Sequence, residues 1–418
     1  MEKITVLALL AALPWIVVAQ DSLLVEAMQK NARTFKLTTE GLAGDGLDFF
    51  LAEGQKARFF LIGEDHGMAE NPQFTAALFR HFKTIGYRYF ATETGPYTAE
   101  MVQKMAGSPD WKARFEAHFR QYPWSIPFYN WQEECEIPRA VLEGADGSRA
   151  LLWGLDQEFA ASFRMFFKKL ETEAATPESK AVAGEYYRLA EKAYAESFGA
   201  RDPSKSFLAI VKPDDFDRLR KTFEGRQAAL DLIRELDESV QIYQLWYRSE
   251  GYASNRQRAE MMKRHFTAYY SAAKEKGEDP RVMFKLGANH VYRGLNALNV
   301  PDIGNFISEL AAQSGQTSFH LYTLGRKGTQ NGFTPFSRSD DDKHQPYDAG
   351  QYLDKVDFST VLKATPETAW SVIDLRPLRK ALFNKTIKNV DPGLERIIYS
   401  YDAILVFPQV HASRFFLD

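Results

Sequence analysis

Apolar residues along this chain fall into two rhythms. Ala57–Ile62 is a short, nearly continuous apolar run broken only by Arg58, the pattern of a strand buried on both faces. From Glu70 to Ile85 the apolar positions Phe74, Leu78, Phe82 and Ile85 take helical spacing, and Gly86 supplies a C-cap. Tyr87–Thr92 then reads as a second strand. Strand, helix and strand within so short a span form a βαβ unit, so the two strands should be parallel. The alternation continues with a helix over Ile137–Glu143 and strands over Ala150–Gly154, Val282–Leu286, Ser318–Leu324, Trp370–Leu375 and Ala403–Phe407. A further helix is expected over Ile303–Ala312.

Between Glu158 and about Lys276 the pattern is helical with almost no strand signal. Alternating charge and the run Ala181–Glu196 suggest long solvated helices, a hairpin or a cap. Gly199–Asp214, with Pro203 and Pro213, is the best internal break. Gly325–Gly350 is polar and turn-rich and reads as a long loop, a candidate flap over a site. Its run Asp340, Asp341, Asp342, Lys343, His344 lacks the glycine and terminal Glu of an EF-hand, so a solvated loop is expected there rather than a calcium site. These elements make the fold class α/β: a mostly parallel central sheet flanked by helices, with a helical insertion. The expected organisation is a signal segment over 1–19, core over 20–157, insertion or cap over 158–278, and core again over 279–418.

Composition narrows the class. The chain has 418 residues, too many for one small domain. A hydrophobic share of 45% with 26% charged residues is that of a globular protein, which sets disorder aside. A net charge of −3 gives no basic excess for a nucleic-acid backbone. Met1-Glu2-Lys3 is followed by an apolar run from Ile4 to Ala19, interrupted by Pro14 and too short to span a bilayer. That describes a secretory signal cut after Ala19, and hence a secreted or periplasmic protein with no membrane contact once the signal is removed. Cys135 is the only cysteine, so no internal disulfide forms and no cysteine-rich zinc site exists; it is expected to be a buried structural thiol.

Candidate chemistry collects beyond the carboxyl ends of the predicted strands, where open parallel sheets bind ligands. The first strand leads into Gly63-Glu64-Asp65-His66-Gly67, with Glu70 opening the next helix. The second leads to Glu93, the third to Asp156 and the fourth to Asn289-His290. A neutral imidazole can take a proton from water while carboxylates orient the ring and stabilise its cation. Asp65, Asp156 and Asn289 could equally be helix caps. His81, His118, His265, His320, His344 and His411 fall inside predicted elements or loops with no such clustering. No Gly-x-Ser-x-Gly elbow and no phosphate loop stands after any strand. The same Glu and His mixture could also ligate a divalent metal through Glu64, His66, Glu93 and His290.

The ordered motifs Gly63-Glu64-Asp65-His66-Gly67, Phe90 to Glu93, Gly154 to Asp156, Asn289-His290 and the closing strand from Tyr401 resemble the erythromycin esterase family. That family looks related to haem-binding iron-uptake lipoproteins and Tiki-type metalloproteases. The resemblance spans Ala57 onward and implies hydrolysis of an ester or related bond in a small-molecule substrate by activated water, without a cofactor. His66 would be the base, Glu64 and Glu93 its neighbours, and His290 a substrate-polarising group. Asn255, Arg256 and Arg258 stand where the family carries polar pocket residues, with Glu70, Asp156 and Asn289 as further substrate contacts. Two departures stand out: one residue rather than two separates Glu64 from His66, and Gly287 occupies the place of a histidine. A metal-dependent hydrolase and a non-catalytic binder of haem or another ligand stay open as alternatives.

Overall fold

The computed structural model describes residues 22–145, 149–332, 343–351, 353 and 355–417. The expected signal segment and Asp340 to Asp342 lie outside them. Eleven strands are assigned: β1 (Ala32–Thr38), β2 (Gly41–Ala43), β3 (Phe59–Glu64), β4 (Tyr89–Thr92), β5 (Leu152–Gly154), β6 (Val282–Gly287), β7 (Ser318–Gly325), β8 (Lys327–Gln330), β9 (Gln345–Asp348), β10 (Trp370–Asp374) and β11 (Ala403–Phe407). Nine of them form one sheet in the order β2-β1-β10-β11-β7-β3-β6-β4-β5. The six from β11 to β5 are mutually parallel, and β10, β1 and β2 extend the edge in antiparallel fashion.

β3, β4 and β6 are buried along their whole length, as their largely apolar runs require. β3 and β4 are parallel, as the βαβ pattern implies, but they are not neighbours. β6 lies between them, pairing with β3 through Glu64↔Gly287 and with β4 through Thr92↔Lys285. The chain leaves β3 toward β4 on one side and leaves β6 toward β7 on the other. Connections that part in this way open a crevice at the carboxyl ends of the strands.

Between β5 and β6 the chain is helical, with helices at Phe163–Glu173, Pro177–Ala200, Pro213–Thr222, Gln227–Tyr247 and Gly251–Glu275. These are less solvated than their charge pattern suggests. Val182, Ala183, Tyr186, Ala190 and Ala193 of one long helix pack with Phe167, Phe207, Phe216 and Leu236 in a second apolar core, separate from the one around the sheet. Within the expected loop over Gly325–Gly350, β8 and β9 pair as a two-stranded antiparallel ribbon. No helix among the described residues is long and apolar enough to cross a membrane.

Candidate active site

The strand ends bring two carboxylate–imidazole pairs to either side of one buried glutamate. β3 closes with Glu64, and two residues later His66 turns its Nδ1 back to Glu64 Oε1 at 2.9 Å. Gly67 makes this turn possible. It stands at φ 89°, and a Cβ there would meet the Asn331 carbonyl oxygen at 2.0 Å. Past β6, His290 sets its own Nδ1 against Asp302 Oδ2 at 2.9 Å. Asp302 also caps the helix Ile303–Gln313 by accepting from the Ile303 N–H.

Glu93, one residue beyond β4, lies between the two imidazoles. Its Oε2 is 3.7 Å from His66 Nε2 and its Oε1 is 3.4 Å from His290 Nε2. Gly287 N–H donates to Oε2 and Arg258 Nη2 to Oε1, so both carboxylate oxygens are engaged. Arg258, from the helix Gly251–Glu275, also grips Asp156 with Nε at 2.8 Å and Nη2 at 2.5 Å. This bidentate fork joins the insertion to the ends of β4 and β5.

Behind Glu64 sits a charge that strand patterning did not single out. Lys285, interior to β6 and 4% exposed, donates to Glu64 and, at 2.7 Å, to Glu134. A buried ammonium is tolerated because two carboxylates face it. Burial opposes its charge, but Glu134 and Glu64 outweigh that and hold Lys285 above its ordinary pKa. Burial pushes the Glu134 carboxyl up, with Lys285 opposing.

The imidazoles are tuned upward in the same way. Burial works against protonated His66, yet the charge of Glu93 and the bond to Glu64 raise its pKa above 6.5. Burial also opposes protonated His290, but Asp302 and Glu93 lift it to about 10. Burial would raise Glu93, but His290, His66 and Arg258 hold it well below 4.5. At neutral pH the site therefore contains a cationic His290 and an anionic Glu93, with His66 beside them held more basic than an ordinary imidazole.

These groups open into a cleft of about 490 Å3. Glu64, His66, Glu93, Arg258, Asn289 and His290 line one side. Gln330, Asn331 and Tyr347, from and around the β8–β9 ribbon, line the cleft as well, within the segment where the flap was expected. Gly287 leaves the space beside the base open, since a Cβ there would lie 3.0 Å from His66 Nε2. A larger cleft of about 610 Å3 opens at the opposite ends of the strands among Arg58, Arg88, Arg149 and Arg281. Arg281 there donates to the carbonyls of Gly54, Gln55, Ala57 and Ile85, closing the ends of two helices rather than awaiting a ligand.

Several sequence candidates stand elsewhere. Glu70 faces away from the cleft and holds the Nδ1 and backbone N–H of His411 at 2.7 and 2.9 Å. Arg256 is solvent-exposed and pairs with Glu260 along its helix. Asn255 donates to the Gly251 carbonyl, and neither it nor Arg256 lines the cleft. Asp156 sits behind Arg258 and positions it. Asp65, by contrast, lines the cleft, half-buried, and accepts from Tyr347 at 3.3 Å. Cys135 is buried, its Sγ on the Tyr129 carbonyl, and burial raises its thiol well above the usual range. Among the described residues no group of three or more His, Cys, Asp or Glu side chains is disposed to hold a metal ion. Sequence reasoning missed Lys285, Glu134, Asp302 and Phe128, whose ring stacks on the His66 imidazole with centroids 4.3 Å apart. Only Lys285 carried a signal, a lone charge within a buried strand.

Comparison with known proteins returned no matching family model and no matching curated protein. Solved structures do match. A mutant erythromycin esterase, EreC, in its open conformation is 14% identical, with a TM-score of 0.58 over 92% of this chain and 98% of that one. A Bacillus cereus protein is 13% identical, with a TM-score of 0.59 over 94% and 99%. A protein described as a succinoglycan biosynthesis protein is 13% identical, with a TM-score of 0.59 over 94% and 98%. The resemblance read from the strand-end motifs thus holds across nearly the whole chain at the level of architecture: this protein has the erythromycin esterase-like fold.

Proposed function

We propose that this protein is an exported hydrolase in which His66 activates water against an ester or related bond of a small molecule. The observation that carries the reading is the orientation of His66. Its Nδ1 is held by Glu64, and its Nε2 lies beside the open space at Gly287 within the cleft. In the neutral ring, Nδ1–H donates to Glu64 and the Nε2 lone pair accepts a proton from water. Lys285 neutralises part of the Glu64 charge and fixes its carboxylate. As the water attacks, negative charge grows on the carbonyl oxygen, and the positive charge of His290 in the cleft wall offsets it. Arg258, whose Nε and Nη2 bond Asp156 and Glu93, orients Glu93.

Two measurements test this. With a panel of p-nitrophenyl esters and lactones, His66→Gln should lower kcat/KM by about 100-fold or more, the usual scale of general-base loss. For the wild type, kcat/KM should fall on the acid side with a midpoint above 6.5, because His66 must be neutral to act and its pKa is raised. Full activity in His66→Gln sinks the reading. For export, mature protein recovered from the periplasm or medium should begin at Gln20; an intact Met1 on that material removes the signal from the proposal.

A further inference from the structure

The loop before the helix Glu136–Leu142 carries two bulky residues in the left-handed region, Trp124 at φ 60° and Phe128 at φ 68°. Side chains with a Cβ disfavour this conformation, so surrounding contacts must hold each of them there. A glycine would adopt this backbone without cost. Phe128 instead lays its ring on the His66 imidazole, with centroids 4.3 Å apart and planes 27° from parallel.

Behind Phe128, Trp131 lies at 6.0 Å and Phe415 lies 6.3 Å beyond Trp131. The run from His411 to Phe416 is bonded to both partners of the stack. On one side Ser413 N–H donates to the Gly67 carbonyl at 3.0 Å, and Ala69 N–H donates to the His411 carbonyl at 2.8 Å. On the other side Gln132 N–H donates to the Arg414 carbonyl, Phe416 N–H donates to the Asn130 carbonyl, and Arg414 Nε pairs with Glu133 at 2.7 Å. One strap therefore sets the distance between the turn that carries His66 and the loop that carries Phe128.

We propose that Phe128 is a positioning residue for His66, and that its strained backbone is kept because only this conformation lays the ring flat on the imidazole. A single hydrogen bond from Nδ1 to Glu64 leaves the imidazole free to swing about that bond. A flat aromatic contact on its face removes the swing and keeps Nε2 beside Gly287. The inference rests on His66 as the base, and a substrate-free readout separates failure of the two.

That readout is the His66 ring proton resonance in protein labelled at histidine Cε1, assigned by its loss in His66→Gln. In the wild type it should lie upfield of exposed histidines through the Phe128 ring current and show cross-relaxation to Phe128 ring protons. Phe128→Tyr should keep both features; Phe128→Leu and Phe128→Gly should lose them. On any p-nitrophenyl ester the wild type hydrolyses, Phe128→Leu should lower kcat about tenfold or more with KM little changed, as expected for lost orientation. Phe128→Tyr should restore the rate. Absence of Phe128 cross-relaxation in the wild type overturns the inference whether or not any variant folds. An unshifted resonance in Phe128→Leu overturns it too, as does full kcat in that variant. A wild type that shows the stack but hydrolyses no ester overturns the hydrolase reading alone.

Discussion

Gly287 is the residue on which the cleft depends most sharply. Its backbone N–H holds Glu93 and its missing side chain clears the approach to His66 Nε2. Gly287→Ala should keep the fold, since its φ is an ordinary −54°. It should nevertheless lower kcat/KM by about tenfold or more, because the added methyl stands where the attacking water belongs. Activity assays beside a thermal melt check this; an active, fully folded Gly287→Ala argues that water approaches from elsewhere. Glu64, His66, Glu93 and His290 were legible in the sequence because each stands at or just past the end of a predicted strand, and parallel strands deliver their carboxyl-terminal residues to one edge. Lys285 lies inside a strand, and its meaning depends on Glu134, in the turn before the helix Glu136–Leu142, where the run of charges reads as helix instead. Phe128 was invisible for a related reason: its role comes from a backbone angle that no residue type announces.

At the scale of elements, the helix Gly251–Glu275 meets the sheet through Arg258. Removing its guanidinium would leave Asp156 and Glu93 buried and underpaired. Arg258→Met should cost about 3–5 kcal/mol, the range for breaking a buried ion pair, measured by urea unfolding. A loss below about 1 kcal/mol would show that the fork adds little beyond a surface pair. Glu158 ties the start of the insertion to the same region by accepting from Tyr97 and Thr98 N–H, and burial pushes its carboxyl up to about 8. The insertion was legible as helical because its charge alternation runs for over a hundred residues. Its second core was harder to see, since a helix whose apolar positions are Ala, Val and Tyr among charges has little contrast between faces. β2 and the β8–β9 ribbon are short and polar, β1 is a polar strand held between β2 and β10, and their pairing depends on distant partners rather than on their own pattern.

For the molecule as a whole, the site makes stability depend on pH in a defined direction. His290 rises from an ordinary 6.5 to about 10 on folding. Its contribution is fully present below pH 6.5 and is lost as pH climbs through 10, with a limiting slope of about 1.4 kcal/mol per unit for one proton. Glu93, held well below 4.5, contributes above that value and loses its contribution as pH falls. Unfolding free energy should therefore decline between pH 7 and pH 10, and the decline should be shallower in His290→Gln. Equal slopes in the two proteins would mean that His290 does not gain its proton on folding.

The placement of β6 between β3 and β4 has a consequence in time. Lys285 lies 221 residues beyond Glu64, so the strand that joins the two halves of the site arrives long after both have been synthesised. Until it docks, β3 and β4 present unpaired apolar edges, the kind of surface that chaperones guard and that aggregates form from. Closing so long a loop is slow, and the pairing it permits comes late. Activity during refolding should appear only after this strand has docked, because it carries the Gly287 N–H that holds Glu93 and the Lys285 that holds Glu64.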